Sequence, residues 1–194
     1  ADFHIGTGPE LDDRVALLLQ PPALGVDDLD TLAPGADREI SIKTLTNPLM
    51  GGEMSWTIPW RRAEIPAANG HGNARSVALV QSVLSSRGEA GGGRIMSSEG
   101  CDRVFIEQSN GTDRVLGAAL RLGVGYGLPN ETVPLPGEQC CFWGGFGGSL
   151  VVNDLGTGMT VAYVMNRMAA GTLGDVRGAS ILLSAYGSLM GTIT

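Results

Sequence analysis

The stretch FWGGFGGSLVVND, residues 142–154, is the part of this sequence best suited to contact a ligand. Four of its residues are glycines, at positions 144, 145, 147 and 148, and they lead into an apolar run typical of a strand. Glycine weakens a strand interior and usually marks a bulge or a place where another group approaches the backbone closely. The stretch therefore predicts a bent strand, a backbone surface open to a ligand, or both.

Other side chains with catalytic potential form no recognisable site. The sequence has no Gly-x-Ser-x-Gly motif, and neither His4 nor His71 lies in a triad pattern; His71 is expected in a loop ahead of a helix. Three cysteines, Cys101, Cys140 and Cys141, include no CxxC pair and no histidine at metal spacing, so neither a zinc site nor a disulfide framework is indicated. Cys140 and Cys141 are expected to be inert buried thiols.

Composition narrows the possible functions. The 194 residues are 43% hydrophobic and 17% charged, which suits one packed core. Their net charge of −7 argues against a nucleic-acid partner. No run approaches the roughly 20 apolar residues of a membrane span, and the start of the chain has no signal pattern. We therefore expect a soluble protein with no membrane partner, and the cysteine usage favours a reducing, cytoplasmic compartment.

The first part of the chain has mixed periodicity. Residues 3–5 predict a short strand, residues 10–20 a helix or turn, and residues 21–60 irregular structure because they are rich in Pro, Gly and Asp. The clearest helix is 74–87, in which Val77, Val80 and Leu84 share a face, Asn73 can cap the start and Gly88 stands at the C′ position. A second, shorter helix is predicted over 113–121.

The pattern then changes to that of strands. Residues 141–146, 149–154 and 159–165 predict three strands, with DLGTG at 154–158 as the turn of a hairpin. The last strand is apolar on both alternating faces, so both faces should be covered. A closing helix over 177–190 supplies part of that cover. The predicted fold class is α/β (α+β), with an antiparallel sheet covered by helices.

Several segments together resemble the C-terminal half of the family VIII carboxylesterases, relatives of class C β-lactamases and penicillin-binding proteins. They are WRRAEIPAANGHGNARSVA (60–78), GVGYGL (123–128), FWGGFGGSLVVND (142–154) and MTVAYVMNRM (159–168), and they occur in family order. The resemblance implies that residues 1–194 are the C-terminal portion of one serine β-lactamase-like domain. Residues 1–130 would supply irregular and helical segments, and residues 131–194 three strands and the closing C-terminal helix.

The resemblance also implies a role for the glycine stretch. The family uses a Ser-x-x-Lys nucleophile, a Tyr-x-Asn, and a third motif on the strand edge of the cleft, which is Trp-Gly-Gly or similar in the esterases. Trp143, Gly144 and Gly145 match that third motif and would bind substrate. The backbone N–H of Phe146 would then help to form the oxyanion hole.

The other two motifs are absent. The only lysine is Lys43, which is preceded three positions earlier by Ile40, and no tyrosine is followed two residues later by asparagine. Lys43-Thr44-Leu45 imitates the start of Lys-Thr-Gly but lies upstream of the sheet and lacks the glycine. The chain would thus supply the strand that binds substrate and the oxyanion. An N-terminal half would supply the nucleophilic serine and the lysine and tyrosine that transfer protons. Cleavage of a longer enzyme, a truncated gene product and a separate fragment with another role all fit.

Each of these residues also has a purely structural interpretation. Trp143 alone would more often be a core or lid aromatic, Asn166 a turn residue, and the group Arg61, Arg62 and Glu64 a surface ion pair. With the ordered motifs, we predict the C-terminal half of a serine esterase that hydrolyses short-chain carboxylic esters, which are small-molecule substrates, through an acyl-enzyme. It would need no metal or organic cofactor, would have the N-terminal half of the same enzyme as its partner, and would be inactive as this chain alone. The alternative is an inactive binding or structural fragment of the same fold.

Overall fold

A computed structural model of the protein describes residues 1–21, 35–48 and 51–191. Its longer elements are a helix that precedes the sheet, a series of antiparallel hairpins and a closing helix. The strands are β1 (Phe3–Ile5), β2 (Gly70–Gly72), β3 (Glu89–Ala90), β4 (Gly93–Arg94), β5 (Ser109–Thr112), β6 (Ala119–Leu122), β7 (Gly127–Leu128), β8 (Cys140–Gly144), β9 (Leu150–Asp154) and β10 (Met159–Tyr163). The α-helices are α1 (Arg38–Thr46), α2 (Ile58–Arg62), α3 (Ala74–Ser85), α4 (Ser98–Asp102) and α5 (Val176–Leu189), and 3-10 turns span Pro9–Arg14, Gly52–Trp56 and Arg103–Phe105.

The main sheet has six antiparallel strands in the order β10-β9-β8-β7-β6-β5. The three predicted strands are its β8, β9 and β10, each slightly shorter than predicted, and the predicted hairpin pairs Met159 with Asp154. The mixed α/β fold with an antiparallel sheet is thereby confirmed. The other three strands, β5 to β7, lie between residues 109 and 128, where the sequence predicted none.

The predicted helix over 113–121 is wrong, because this segment forms a β-hairpin. Thr112 pairs with Ala119, and the turn between them is closed by the Asp113 carboxylate, which accepts hydrogen bonds from the N–H groups of Val115 (2.9 Å) and Leu116 (2.8 Å). Asp bonded to its own turn in this way competes with a helix. The Ala and Leu residues gave the segment its helical pattern, but pairing along the sheet decided its structure.

Helix α3 confirms the predicted helix, with two differences at its buried face and its end. Asn73 caps the start by accepting from the Ser76 N–H (3.0 Å), while Val80 is exposed, so the proposed apolar face is incomplete. The left-handed C′ residue is Arg87 (φ 54°), and Gly88 follows it. Their N–H groups bond the carbonyls of Leu84 and Val83, as in a Schellman motif. Gly88 is glycine because a Cβ there would lie 1.9 Å from the Met96 carbonyl oxygen.

The segment 21–60 is less irregular than predicted, although residues 22–34 and 49–50 lie outside the described part. Asp37 caps α1 through the Ile40 N–H, and Thr57 caps α2 one residue before the helix begins. These caps sit among Pro and Gly residues, which hid the short helices from a periodicity argument. Of the predicted segment 10–20 only a 3-10 turn forms, whereas the predicted strand at 3–5 is β1 and pairs with β2. His71 lies in β2 rather than in a loop.

Helices cover both faces of the β8–β10 sheet, as predicted from the two apolar faces of β10. On one face α3 buries Leu84 against Cys141 and Leu155. On the other, α5 buries Leu182 and Tyr186 against a cluster that includes Cys140, Phe142 and Val152. Polar bonds lie on each face as well: below α3 the Gln81 side-chain oxygen accepts from Asn153 and Tyr126, and below α5 the Tyr186 hydroxyl donates to Asp154. The first part of β8, Cys140 to Phe142, is therefore buried on both faces.

Candidate active site

The glycine stretch forms the end of β8 and the turn into β9. The Gly145 N–H donates to the Ser149 carbonyl (2.9 Å), and the Gly148 N–H donates back to the Gly145 carbonyl (3.0 Å). Gly147 and Gly148 have φ of 98° and 110°, a region that L residues with a side chain rarely adopt. These two glycines are required by the turn itself.

The remaining two glycines have different surroundings. A Cβ at Gly144 would lie 2.4 Å from the carbonyl carbon of Leu173, so this glycine lets the 173–174 backbone pack against the strand. A Cβ at Gly145 would meet nothing within 4 Å, and its φ is not positive. Packing therefore explains Gly144, while Gly145 faces open space that a ligand could use. A substrate contact at either residue stays a prediction.

The N–H of Phe146 lies in the turn between β8 and β9. β8 ends at Gly144, and the Gly145 N–H that follows it donates to the Ser149 carbonyl, one residue before β9 begins. On the other side the pairing of β8 with β7 consists of Phe142 with Gly127, so β7 has ended before residue 146 is reached. Among the described residues, none accepts a hydrogen bond from the Phe146 N–H.

Two exposed aromatic residues lie at this strand end, Phe146 itself and Trp143 three positions earlier. Trp143 pairs across the sheet with Val151 on the α3 face and is 45% exposed, and Phe146 is 47% exposed. Neither is a core residue, which removes the structural interpretation of Trp143 as a buried aromatic. Two large exposed rings, an open Gly145 and a free N–H give a surface suited to an acyl group and the oxygen of its carbonyl.

The turn is supported from the side of α5. Gly147 donates to the Gly171 carbonyl and accepts from the Ala169 N–H, both at 2.9 Å. Its carbonyl also accepts from the Arg177 Nη2 (2.9 Å), and Asp175 caps α5 while bonding the same guanidinium. Sequence reasoning missed Arg177 and Asp175. The Asp before the helix gave a capping signal, but only the fold reveals what they support.

Other residues singled out by sequence lie elsewhere. Arg61 and Arg62 pair with Asp12 and not with Glu64 as predicted (Arg62 Nη2 to Asp12 Oδ2, 2.6 Å). Lys43 forms an exposed pair with Glu39 on α1, consistent with an unrelated Lys-Thr. His4 bonds the Asp2 carboxylate, His71 bonds the Asn69 carbonyl, and the Asn166 carbonyl accepts from the Leu19 N–H.

The titratable groups near the sheet are structural. Cys140 and Cys141 are fully buried, and burial raises the pKa of the Cys141 thiol to about 12, which confirms the expected inert thiols. Burial also raises the pKa of Tyr186, whose hydroxyl donates to the buried Asp154. Within the described residues no three His, Cys, Asp or Glu side chains cluster as a metal site, and no helix is both long and apolar enough to cross a bilayer.

An antiparallel sheet covered on both faces by helices is the fold that this chain shares with a known family. The chain belongs to the β-lactamase family, whose model, described as Beta-lactamase, matches residues 1–186. Over 180 residues the chain is 30% identical to the esterase/β-lactamase LipL of Mycobacterium tuberculosis, covering 86% of this chain and 39% of that protein.

Solved structures agree with the sequence relatives. The chain is similar to a family VIII carboxylesterase, with a TM-score of 0.82, 29% identity, and coverage of 95% of this chain and 46% of that one. It is also similar to a penicillin-binding protein homologue from Caulobacter crescentus, with a TM-score of 0.76, 27% identity, and coverage of 96% and 48%. The resemblance stated from the motifs is confirmed. The chain spans about half, or less, of the length of these relatives.

Proposed function

We propose that this chain is the oxyanion-binding half of a serine ester hydrolase that acts on short-chain carboxylic esters. The single observation that carries the proposal is that no residue in the described part of the chain accepts from the Phe146 N–H, which lies beside the open Gly145. The relatives add support, since one is named an esterase/β-lactamase and another a carboxylesterase. Turnover of some β-lactams would fit the same site.

In the proposed reaction a serine of the missing half attacks the ester carbonyl. Its proton passes to the lysine and tyrosine of that half, and a tetrahedral intermediate forms with its oxyanion on the Phe146 N–H. The C–O bond to the alcohol then breaks, and the alcohol leaves with that proton. Water adds to the acyl-enzyme in the same way, so that the carboxylic acid is released and the serine regains its proton.

A second polypeptide is proposed because this chain leaves surfaces uncovered. Among the described residues β10 pairs with β9 alone, so its outer edge has free backbone groups. Helix α5 buries Gly178, Leu182 and Tyr186 on one side, but its other side exposes apolar residues, among them Val176 (79%) and Leu183 (64%). Open strand edges and apolar patches of this kind usually mark an interface. We infer that the N-terminal half of the enzyme, with the Ser-x-x-Lys and Tyr-x-Asn motifs, covers both. The three cysteines are all free thiols, which suits the reducing, cytoplasmic compartment that we propose.

Intact mass and esterase assays on the native preparation test this proposal. We expect a second polypeptide to accompany the chain and the assembly to hydrolyse p-nitrophenyl butyrate. The 194-residue chain alone should not exceed the background rate. Turnover by the rigorously purified chain, abolished by a serine-directed phosphonate, would place the nucleophile here and contradict the proposal. An assembly that binds but never hydrolyses esters would favour the inactive binding fragment.

A further inference from the structure

Arg177, at the start of α5, bonds three parts of the molecule at once. Its Nη2 donates to the Gly147 carbonyl (2.9 Å) and its Nη1 to the Arg167 carbonyl (2.7 Å). Its Nε donates to both carboxylate oxygens of Asp175 (3.0 Å each), and its guanidinium lies 5.5 Å from the centre of the Tyr163 ring. The side chains of Arg177 and Asp175 are 33% and 15% exposed. The guanidinium is thus fixed in orientation by its own partners.

Two peptide groups connect this guanidinium to the free donor of the site. The Gly147 carbonyl that accepts from Arg177 belongs to the same planar peptide as the Gly148 N–H. That N–H donates to the Gly145 carbonyl at 3.0 Å. The Gly145 carbonyl in turn shares its peptide plane with the Phe146 N–H. The hydrogen bond from Arg177 at one end of this series of peptides therefore constrains the direction of the Phe146 N–H at the other end.

We propose that Arg177 is a positioning residue for ester hydrolysis, which orients and polarises the Phe146 N–H through the Gly147–Gly148 and Gly145–Phe146 peptides. This inference rests on the proposed function. Hydrogen bonds in series polarise one another, and a bond from a charged donor at the head of the series strengthens the donor at its tail. The benefit applies to the tetrahedral intermediate, in which the substrate oxygen carries full negative charge, more than to the bound ester.

Asp175 limits the effect to short range. The carboxylate neutralises most of the guanidinium's field, and the Arg177 hydrogen bonds hold the pKa of Asp175 below its ordinary value, so that the pair stays charged at neutral pH. The geometry of the Arg177 hydrogen bonds therefore affects the Phe146 N–H more than the net charge at position 177 does. Lysine keeps the charge, but it lacks the planar fork that reaches two carbonyls and a carboxylate together, so it should not replace arginine.

The turn should survive the loss of Arg177. The Gly147 carbonyl keeps its bond from the Ala169 N–H, and Asp175 still caps α5. Variants at position 177 should fold with a modestly lower Tm, which makes their kinetics interpretable. Arg103, an exposed arginine in the 3-10 turn after α4, is a matched control because its removal changes the net charge equally without touching the turn.

The experiment uses the native two-part assembly and compares Arg177→Lys, Arg177→Met and Arg103→Met. For p-nitrophenyl butyrate we expect both Arg177 variants to lose about 10-fold or more in kcat, a part of the cost of losing an oxyanion donor, with KM little changed. The inhibition constant of a trifluoromethyl ketone, whose serine adduct carries the oxyanion, should rise by the same factor. Arg103→Met should match the parent protein in all three quantities.

Three results would overturn the inference. Unchanged kcat in folded Arg177 variants would show that the peptide series does not act on the donor. A loss of kcat without weaker binding of the ketone, or full activity in Arg177→Lys, would show that packing or charge alone matters. If the parent assembly hydrolyses no ester, the proposed function fails first and the inference fails with it, which separates the two cases.

Discussion

Replacing Gly145 by valine adds three carbon atoms to the backbone edge where we place the acyl group. The structure indicates that the fold tolerates them, because a Cβ at this position meets no atom within 4 Å and φ is not positive. A β-branched residue also suits an extended backbone, which should offset any small loss. The free energy of unfolding should therefore stay within about 1 kcal/mol of the parent value.

Activity should respond very differently. The two methyl groups would occupy the space of the acyl chain and hold the carbonyl oxygen away from the Phe146 N–H. Displacing one oxyanion donor costs roughly 10²–10³ in rate, or about 2.7–4 kcal/mol. We expect kcat/KM for p-nitrophenyl butyrate in the two-part assembly to fall by this factor, with Gly145→Ala intermediate.

Gly144→Ala is the matched control, since it adds one methyl group one residue earlier. Its Cβ would lie 2.4 Å from the Leu173 carbonyl carbon and 2.6 Å from the Gly174 nitrogen. Overpacking against backbone typically costs about 1–3 kcal/mol, so its Tm should fall by several degrees. The neighbouring glycines should thus separate stability from activity. Normal kcat/KM in folded Gly145→Val would refute an acyl group at this edge.

The remaining predictions concern the aromatic residues and the buried carboxylate. Phe146→Ala should change kcat/KM only slightly because alanine keeps the backbone N–H. An effect as large as that of Gly145→Val would contradict this backbone role. Trp143→Ala should alter the preference among acyl chain lengths. Tyr186→Phe should lower the free energy of unfolding by about 1–3 kcal/mol in denaturant titrations without affecting kcat, since it removes the hydroxyl that donates to Asp154. Burial alone raises the pKa of Asp154, but bonds from Tyr186 and the following turn outweigh it and hold the pKa below its ordinary value. The Asp154 carboxylate therefore stabilises the fold above about pH 4, and this stabilisation is lost as the pH falls through its folded pKa. The decrease in Tm on acidification should consequently be smaller in Asp154→Asn than in the parent protein.

Much of the fold was predictable where one period extended over many residues. Helix α3, strands β8 to β10 and helix α5 each have a consistent apolar pattern, and all were predicted within a few residues of their observed ends. Strands β5 to β7 were not predicted because two of them are only four residues long and one only two. Strands this short gain their stability from pairing with neighbours, which a local pattern does not record.

For the site, the sequence determined where the unusual backbone lies, and only the tertiary structure decided what each glycine does. A glycine has no side chain, so its role depends on the atoms opposite its Cα. For Gly144 those atoms belong to the 173–174 backbone, and for Gly148 they belong to Asp175. Opposite Gly145 there is open space. Arg177 is likewise an ordinary helix-start arginine in the sequence. It reaches the turn only because the packing of α5 on the sheet brings it to the Gly147 carbonyl.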